Sequence, residues 1–597
     1  MRSRTATPQP LREAAPADIS RLLRLEDEGE RTLALSRRRL SIIGVCFAAG
    51  FALIGFRAVV LAASHDPDQV FIAAAAAPDA PNRGDILDRD GEILAATLDF
   101  HSVYADPKYV WDAEIAAARL TTVLPQLDAE TLRRDLDSNR RFVWVARGLT
   151  PRQRQAIHLL GLPGIGFVEE PGRIYPKRRA AAHLVGYADR DLHGLSGAEL
   201  AFDAALSAGD GRPVSLSIDL TAQHAVESVL RARMAHFRAE GASAVLMRVG
   251  TGEILALASL PDFDPNRPND APNSARFNRA SEGVYELGSV FKPLTLAAAL
   301  ESGAVALDDV FDATDPISIG GFRIRDFHPE RRPMTAREAV IHSSNIATAR
   351  MAETLDGVRL RQFFQDLRLL ERAPVELAES GRPLTPAAPW STIETMTISY
   401  GHGMAISPLA LTAAYAALAN GGVYTPPTLR PVAPGEIIVG EPVMSAETSA
   451  AVLAVMRQVV TQGSGRRADV DGLAVAGKTG TAERVVGGRY DTDSLFTSFV
   501  SIFPFDDPEY VLLVSFDRPK AAPETHGFAT AGWNAAPTSG EMIMRLSSIL
   551  GVELRETDPQ ARASAVAMMF APRARTRARP EEPLLLNPLA PEDVSGE

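Results

Sequence analysis

The stretch "YELGSVFKPLTLAAALESG", Tyr285–Gly303, decides how this chain is read. From Val290 onward its composition is helical and Gly303 ends it, while Pro293 is tolerated only in the first turn of such a helix. Ser289 then stands at the helix's N-terminal end, and Lys292, three residues on, shares its face. The free N–H groups and the macrodipole there favour developing negative charge and disfavour an ammonium. A lysine so placed is nudged toward neutrality, and a neutral amine can take the proton of a nearby hydroxyl. The chain's own habits sharpen the point. Of its 62 basic residues only Lys108, Lys177, Lys292, Lys478 and Lys520 are lysines. An arginine at 292 could not lose its proton.

Outward from this helix the pattern is strands enclosing helices. Upstream, "TAQHAVESVLRARMAHFRA" reads as a helix, followed by the β-rich runs "ASAVLMRVG" and "EILALASL" joined by a turn at "TG". Downstream come alanine-rich helical stretches and a second β-rich group from "GLAVAGKTGT" to "YVLLVSFD". This pattern predicts a sheet with helices packed on it. Further upstream, "NRGDILDRDGEILAATLDFHSVYADP" reads as two strands joined by a "DRDG" turn, with helical patches at "DAEIAAARLTTVL" and "AETLRRDL". The chain is therefore expected to be α+β and multi-domain, with a mixed region at 75–211, a larger unit at 212–556 and a disordered Pro/Arg/Ala/Glu tail at 557–597. Its 597 residues suit several domains.

Near the start, "LSIIGVCFAAGFALIGF", Leu40–Phe56, is uncharged, and the apolar run resumes after Arg57 as "AVVLAA". That is about the 20 residues needed to cross a bilayer. The 39 preceding residues are long for a signal n-region, so an uncleaved anchor at 40–61 is expected. Arg37, Arg38 and Arg39 flank one end and His65, Asp66 and Asp68 follow the other. The positive-inside rule then puts the 1–39 leader, with its short amphipathic stretch "ISRLLRLEDE", in the cytoplasm and the rest outside. Arg57 near the outer interface can snorkel. The single cysteine, Cys46, lies within the span, so the outer domains hold no intramolecular disulfide and depend on their cores. A net charge of -12 argues against nucleic acid as partner.

Two further motifs stand with the Ser289/Lys292 pair. "HSSNIATARMAETL", from His342, sets Ser343 and Asn345 two apart ahead of a helical run, which by itself is an N-cap signal. "AGKTGTAE" carries Lys478, Thr479, Gly480 and Thr481 after a β-like run; Gly480 would allow close backbone approach, and the lysine and hydroxyls suit an anion such as a peptide carboxylate. In this order the three motifs resemble the signature set of penicillin-binding proteins and serine β-lactamases. The resemblance is closest to the class B penicillin-binding proteins of the cell-division type and covers roughly residues 80 to 550. It includes "RGDILDRDGEILA", "GRIYPKRRAAAHLVGY", "SIDLTAQ", "TGEILALASLPDFDPN" and "SYGHGMAISPLALTAAYAALANGG".

The resemblance implies a peptidoglycan D,D-transpeptidase of septal wall synthesis, with a pedestal at 75–211 and a serine β-lactamase-like catalytic domain at 212–556. Ser289 would be the acylated nucleophile and Lys292 its general base. Ser343 would relay a proton to the leaving amine, Asn345 orient Lys292 and the substrate amide, and Lys478 support the relay. Thr479 and Thr481, with Gly480 between them, would bind the donor's terminal carboxylate. The backbone N–H groups of Ser289 and Thr481 would form the oxyanion hole. Stem peptides and β-lactams would be its ligands, and a polytopic glycosyltransferase and other division membrane proteins its partners, at the inner membrane with the catalytic domain in the periplasm. No cofactor is implied. The family usually has proline where Leu287 stands, which bears on the stiffness of the turn into the helix.

Rival readings share parts of this pattern. A D,D-carboxypeptidase or β-lactamase has the same motifs but transfers to water, an elongation-type enzyme differs in cellular site, and an inactive scaffold would keep the fold alone. From another enzyme class, "GLAVAGKT", Gly472–Thr479, fits the P-loop pattern, and "VLLVSFD" could pass for a Walker B strand. Against it, the four middle residues are strand-like and no long helix follows. The histidines show no H-E-x-x-H, and one cysteine gives no thiolate cluster, so no catalytic metal is expected. His342 and His402 lie near the motifs but receive no role. "RGD" at Arg83 reads as part of the hairpin.

Overall fold

A computed structural model describes residues 38–39, 41–60, 83–433, 435–486 and 489–553. The leader apart from Arg38 and Arg39, its amphipathic stretch, and the tail at 557–597 lie outside the described residues. The chain divides into two units, Met1–Asp79 and Ala80–Glu597. In the first, Ser41–Val60 is a continuous helix of 20 residues with mean hydropathy 2.1 and none of it buried, long and apolar enough to cross a membrane.

The second unit opens on a five-stranded sheet. Ile86–Leu87 and Ile93–Ala105 form the expected hairpin. Its "DRDG" turn is closed by Asp88, whose carboxylate accepts from the N–H groups of Asp90 and Glu92, and Gly91 takes φ +88. Val143–Leu149 and Ile165–Ile174 both pair with Ile93–Ala105. Val214–Ser215 pairs in parallel with Ile86–Leu87, so this sheet takes a strand from beyond residue 211. The two helical patches are Ala113–Val123 and Ala129–Leu136, capped by Asp112 and Asp128. Arg83 of "RGD" is fully buried, bonded to Glu199 at 2.6 Å and Asp203 at 2.7 Å. It is a structural cation here, since a buried charge persists only when paired.

The larger part of the unit starts with α1 (Leu220–His236), capped by Asp219, and continues through β1 (Gly241–Arg248) and β2 (Ile254–Leu260). There follow α2 (Lys292–Glu301), α3 (Asn345–Leu355), α4 (Pro408–Ala419) and α5 (Ala446–Thr461). The chain then returns to the sheet through β3 (Ala476–Val486), β4 (Arg489–Phe503) and β5 (Tyr510–Asp517), and α6 (Ala535–Ile549) closes the fold. The sheet order is β3-β4-β5-β1-β2, with every neighbouring pair antiparallel.

β2 and β5 are buried along their whole length, which matches their unbroken apolar runs. α1 and α6 pack on each other and on the sheet, while α4 packs on β1 and β5. Every residue of α4 is buried, and so are eight of the ten in α2, which accounts for their lack of a polar face. β3 is an edge strand, and its free side meets the turn that enters α2.

Candidate active site

Three backbone features bring the motifs together at the β3 edge. The first is the entry to α2, where residues Gly288–Phe291 form a 3-10 turn and Pro293 sits in the first turn of the helix proper. Gly288 has φ +62, and a Cβ there would lie 2.6 Å from the carbonyl oxygen of Thr481, so only glycine fits. The second is β3 itself. A Cβ on Gly480 would lie 2.3 Å from the carbonyl oxygen of Leu287, so the close approach expected of Gly480 is made to the turn that carries Ser289. Leu287 is fully buried in the main core. The third is the turn before α3, where Ser343 adopts φ +59.

Side chains converge on that third turn. Lys292 is fully buried, and its Nζ donates to the Ser343 carbonyl and, at 3.2 Å, to Ser343 Oγ. Lys478, also fully buried, donates to the same Oγ at 3.0 Å and to the Thr479 carbonyl at 2.9 Å. Ser343 thus accepts from two amines through one hydroxyl, leaving its own proton free to be donated elsewhere. Ser289 is half-buried at the α2 entrance, and none of the hydrogen bonds of Lys292 goes to it. The helix N-cap is Ser344, whose Oγ accepts from Ala347 N at 3.0 Å, and not Ser343. Asn345 is buried and donates through Nδ2 to the Arg325 carbonyl at 2.8 Å; no bond joins it to Lys292.

On β3 the two threonines are tied from outside the motif. Thr481 Oγ1 accepts from Ala531 N at 3.2 Å, which turns its proton away from that loop. Thr479 Oγ1 is hydrogen-bonded to Ser464 Oγ and accepts from Lys478 at 3.3 Å.

The electrostatics follow from burial. Burial holds the Lys292 amine down to about 7, against the raising effect of Asp326. Lys478 is pushed well below the ordinary lysine range, by burial first and then by the charge of Lys292. Burial, a property of the assembled core, is the largest cause of the lowered Lys292 amine, and Lys292 is the first residue of the helix proper. His402, near this pair, is lowered to about 4 by burial and then by Lys292, so it is neutral at physiological pH. On the far side, burial raises Glu286, which accepts from Gly403 N and from the Tyr490 hydroxyl.

Sequence reading missed Asp326 and Ser464 and gave His402 no role. Asp326 lies in "RIRDFHPE", which has no periodicity to place it, while His402 stood in a recognised segment without a chemical partner in sequence.

The P-loop reading fails on geometry. Ala476–Val486 is one strand, paired residue for residue with β4 through Lys478↔Val500 and Thr479↔Phe499. No glycine-rich loop opens a helix there, so the backbone cannot cradle phosphates. Among the described residues no group of three or more His, Cys, Asp or Glu could hold a metal ion.

Comparison with known proteins gives matches along most of the chain. The family model of the penicillin-binding protein transpeptidase domain matches residues 242–535, and that of the penicillin-binding protein dimerisation domain matches 78–215. A probable peptidoglycan D,D-transpeptidase FtsI of Caulobacter vibrioides is 40% identical over 562 residues, covering 90% of this chain and 94% of its own. The peptidoglycan D,D-transpeptidase FtsI of Escherichia coli K12 is 31% identical over 508 residues, covering 79% of this chain and 84% of its own. Among solved structures, penicillin-binding protein 3 of Mycobacterium tuberculosis in complex with aztreonam aligns with a TM-score of 0.62 at 25% identity, covering 79% of this chain and 97% of that one.

Proposed function

The chain belongs to the class B penicillin-binding proteins, and from that premise we propose that Ser289 is the nucleophile of a peptidoglycan D,D-transpeptidase that cross-links stem peptides during septal wall synthesis. The observation that carries this reading is the pair of buried amines sharing the Ser343 hydroxyl beside the Ser289 turn. A buried lysine lowered to about 7 is half neutral at that pH, which suits a general base.

In the proposed reaction Ser289 Oγ passes its proton to Lys292 and attacks the penultimate D-Ala carbonyl of a donor peptide. The oxyanion is held by the N–H groups of Ser289 and Thr481, each such donor being worth about 10²–10³ in rate in other enzymes. The tetrahedral adduct collapses, breaking the peptide bond. D-Ala leaves with a proton handed on through Ser343, which Lys478 supports. The amine of a neighbouring strand then attacks the ester, loses its proton through the same relay, and frees Ser289. Thr479 and Thr481 would hold the donor carboxylate, with the Thr481 proton directed away from Ala531. Asn345 would orient the substrate amide; its bond to Arg325 fixes it in the site.

The chain is a serine acyltransferase of a family that acts on peptidoglycan and binds β-lactams. The finer points are proposals. Residues 75–211 would serve as pedestal and 212–556 as the catalytic domain. Ser41–Val60 would anchor the chain with its N-terminus in the cytoplasm, and a polytopic glycosyltransferase with other division proteins would be met through anchor and pedestal.

Acyl transfer is tested with a fluorescent penicillin on the full-length protein. Rapid labelling with slow loss of the label is expected, whereas loss as fast as labelling would make the protein a β-lactamase. In living cells, depletion is expected to give filaments with blocked septa; rounded cells would transfer it to wall elongation. An outward-active reporter fused at residue 553 checks the topology, and silence of that reporter would reverse it.

A further inference from the structure

Ser343 holds a left-handed conformation, which a serine keeps only where its surroundings over-determine it. One carboxylate holds much of the turn on its α3 side. Asp326 Oδ2 accepts from Ser344 Oγ at 2.7 Å, and Oδ1 accepts from Ile346 N at 3.0 Å. The adjacent carbonyl, that of Arg325, accepts from Asn345 Nδ2. Residues 325–326 therefore grip all three residues that follow Ser343. The carboxylate also closes the N-terminus of α3, where negative charge is favoured.

The charge of this group reaches Lys292. Facing Lys292 are Ser343 on the turn before α3, Lys478 on β3 and His402 in the loop after Thr392–Ser399. Lys292 disfavours a positive charge on Lys478 and on His402, and His402 is held neutral. Asp326 acts on Lys292 in the opposite sense. Without that anion, burial alone would lower Lys292 further and make it a weaker base.

We propose that Asp326 is a positioning residue for the acylation step: its carboxylate fixes the turn that presents Ser343 to both lysines, and it supplies the negative charge that Lys292 needs nearby. The proposal rests on the reading of Lys292 as general base. It gives Asp326 two separable roles, one geometric and one electrostatic, and different variants report each.

The test is the second-order rate of labelling of full-length protein by fluorescent penicillin, followed across pH for wild type, Asp326→Asn, Asp326→Glu and Ser344→Ala, with thermal melts to check folding. Wild type should show an acid limb near 7. Asp326→Asn should lower the plateau by about 10–100-fold through misplacement of Ser343. It should also move the limb to lower pH by about one unit, because loss of the anion makes protonated Lys292 less stable. Asp326→Glu and Ser344→Ala keep the charge, so their plateaus fall while their limbs stay with wild type. A limb unmoved in Asp326→Asn overturns the electrostatic role, and so does a limb moved as far in either charge-keeping variant. If Asp326→Asn does not fold, the two charge-keeping variants still decide by the position of their limbs. A wild type that does not label fails the general-base reading itself, a result distinct from any of these.

Discussion

Replacing Lys292 by arginine is expected to reduce penicillin labelling by at least about 10²–10⁴, the usual range for loss of a general base. A guanidinium stays charged at every accessible pH, so it cannot receive the Ser289 proton. It would also put a permanent charge in a fully buried site beside Lys478. Lys292→Met separates the two effects, because it removes base and charge together. Labelling should be lost equally, yet the protein should melt no lower than wild type. The sign of the pH dependence follows from the lowered amine. Between about 7 and the ordinary lysine value near 10.4 the unfolded chain holds a proton that the folded protein has lost, so wild-type stability rises with pH across that window. Below about 7 both states are protonated and the burial penalty is present in full. The advantage of Lys292→Met in melting temperature should therefore be greatest at pH 6 and shrink toward pH 10. Equal labelling by Lys292→Arg and wild type would remove Lys292 from the chemistry.

The second large effect is expected at Gly480, from a single methyl group. Its backbone is not left-handed, so alanine brings no conformational penalty there. The obstacle is space: the new Cβ would meet the Leu287 carbonyl oxygen at 2.3 Å, Ser498 Oγ at 2.6 Å and Val290 Cγ1 at 2.9 Å. Ser498 can rotate, but Leu287 and Val290 belong to the turn that carries Ser289, so β3 must retreat from that turn. A displacement near 1 Å costs about 10²-fold when reacting groups have to meet. Overpacking of this kind costs about 1–3 kcal/mol of stability. Gly480→Ala should thus label about 10²-fold more slowly than wild type while still melting cooperatively. Unchanged labelling would mean that contact between β3 and the Ser289 turn does not set the rate.

Much of the fold was legible because its elements carry strong local signals. The "DRDG" turn, the helical patches at Ala113–Val123 and Ala129–Leu136 and the unbroken apolar runs of β2 and β5 each point to one local structure, and each is found. The chemistry was legible in part, because the motifs supply residue types in order. The physical cause that tunes Lys292 was not, since burial is a property of the assembled core. Sequence could suggest only the helix end as the source of a lowered amine. The identity of the α3 cap was ambiguous for a simpler reason. "SSN" offers adjacent serines, and only the left-handed turn at Ser343 decides that Ser344 caps the helix. Asp326 could not be found from sequence because its partners, Ser344 and Ile346, are brought to it by the fold across an irregular loop.

The most direct test of the central claim is to place the bond. Full-length protein treated with a penicillin should gain the mass of one β-lactam, and peptide mapping should put it on Ser289, with no adduct on Ser289→Ala that retains the wild-type melt. An adduct on Ser343, Ser344 or any other side chain, or a folded wild-type protein that gains no mass, would contradict the assignment of Ser289 as nucleophile.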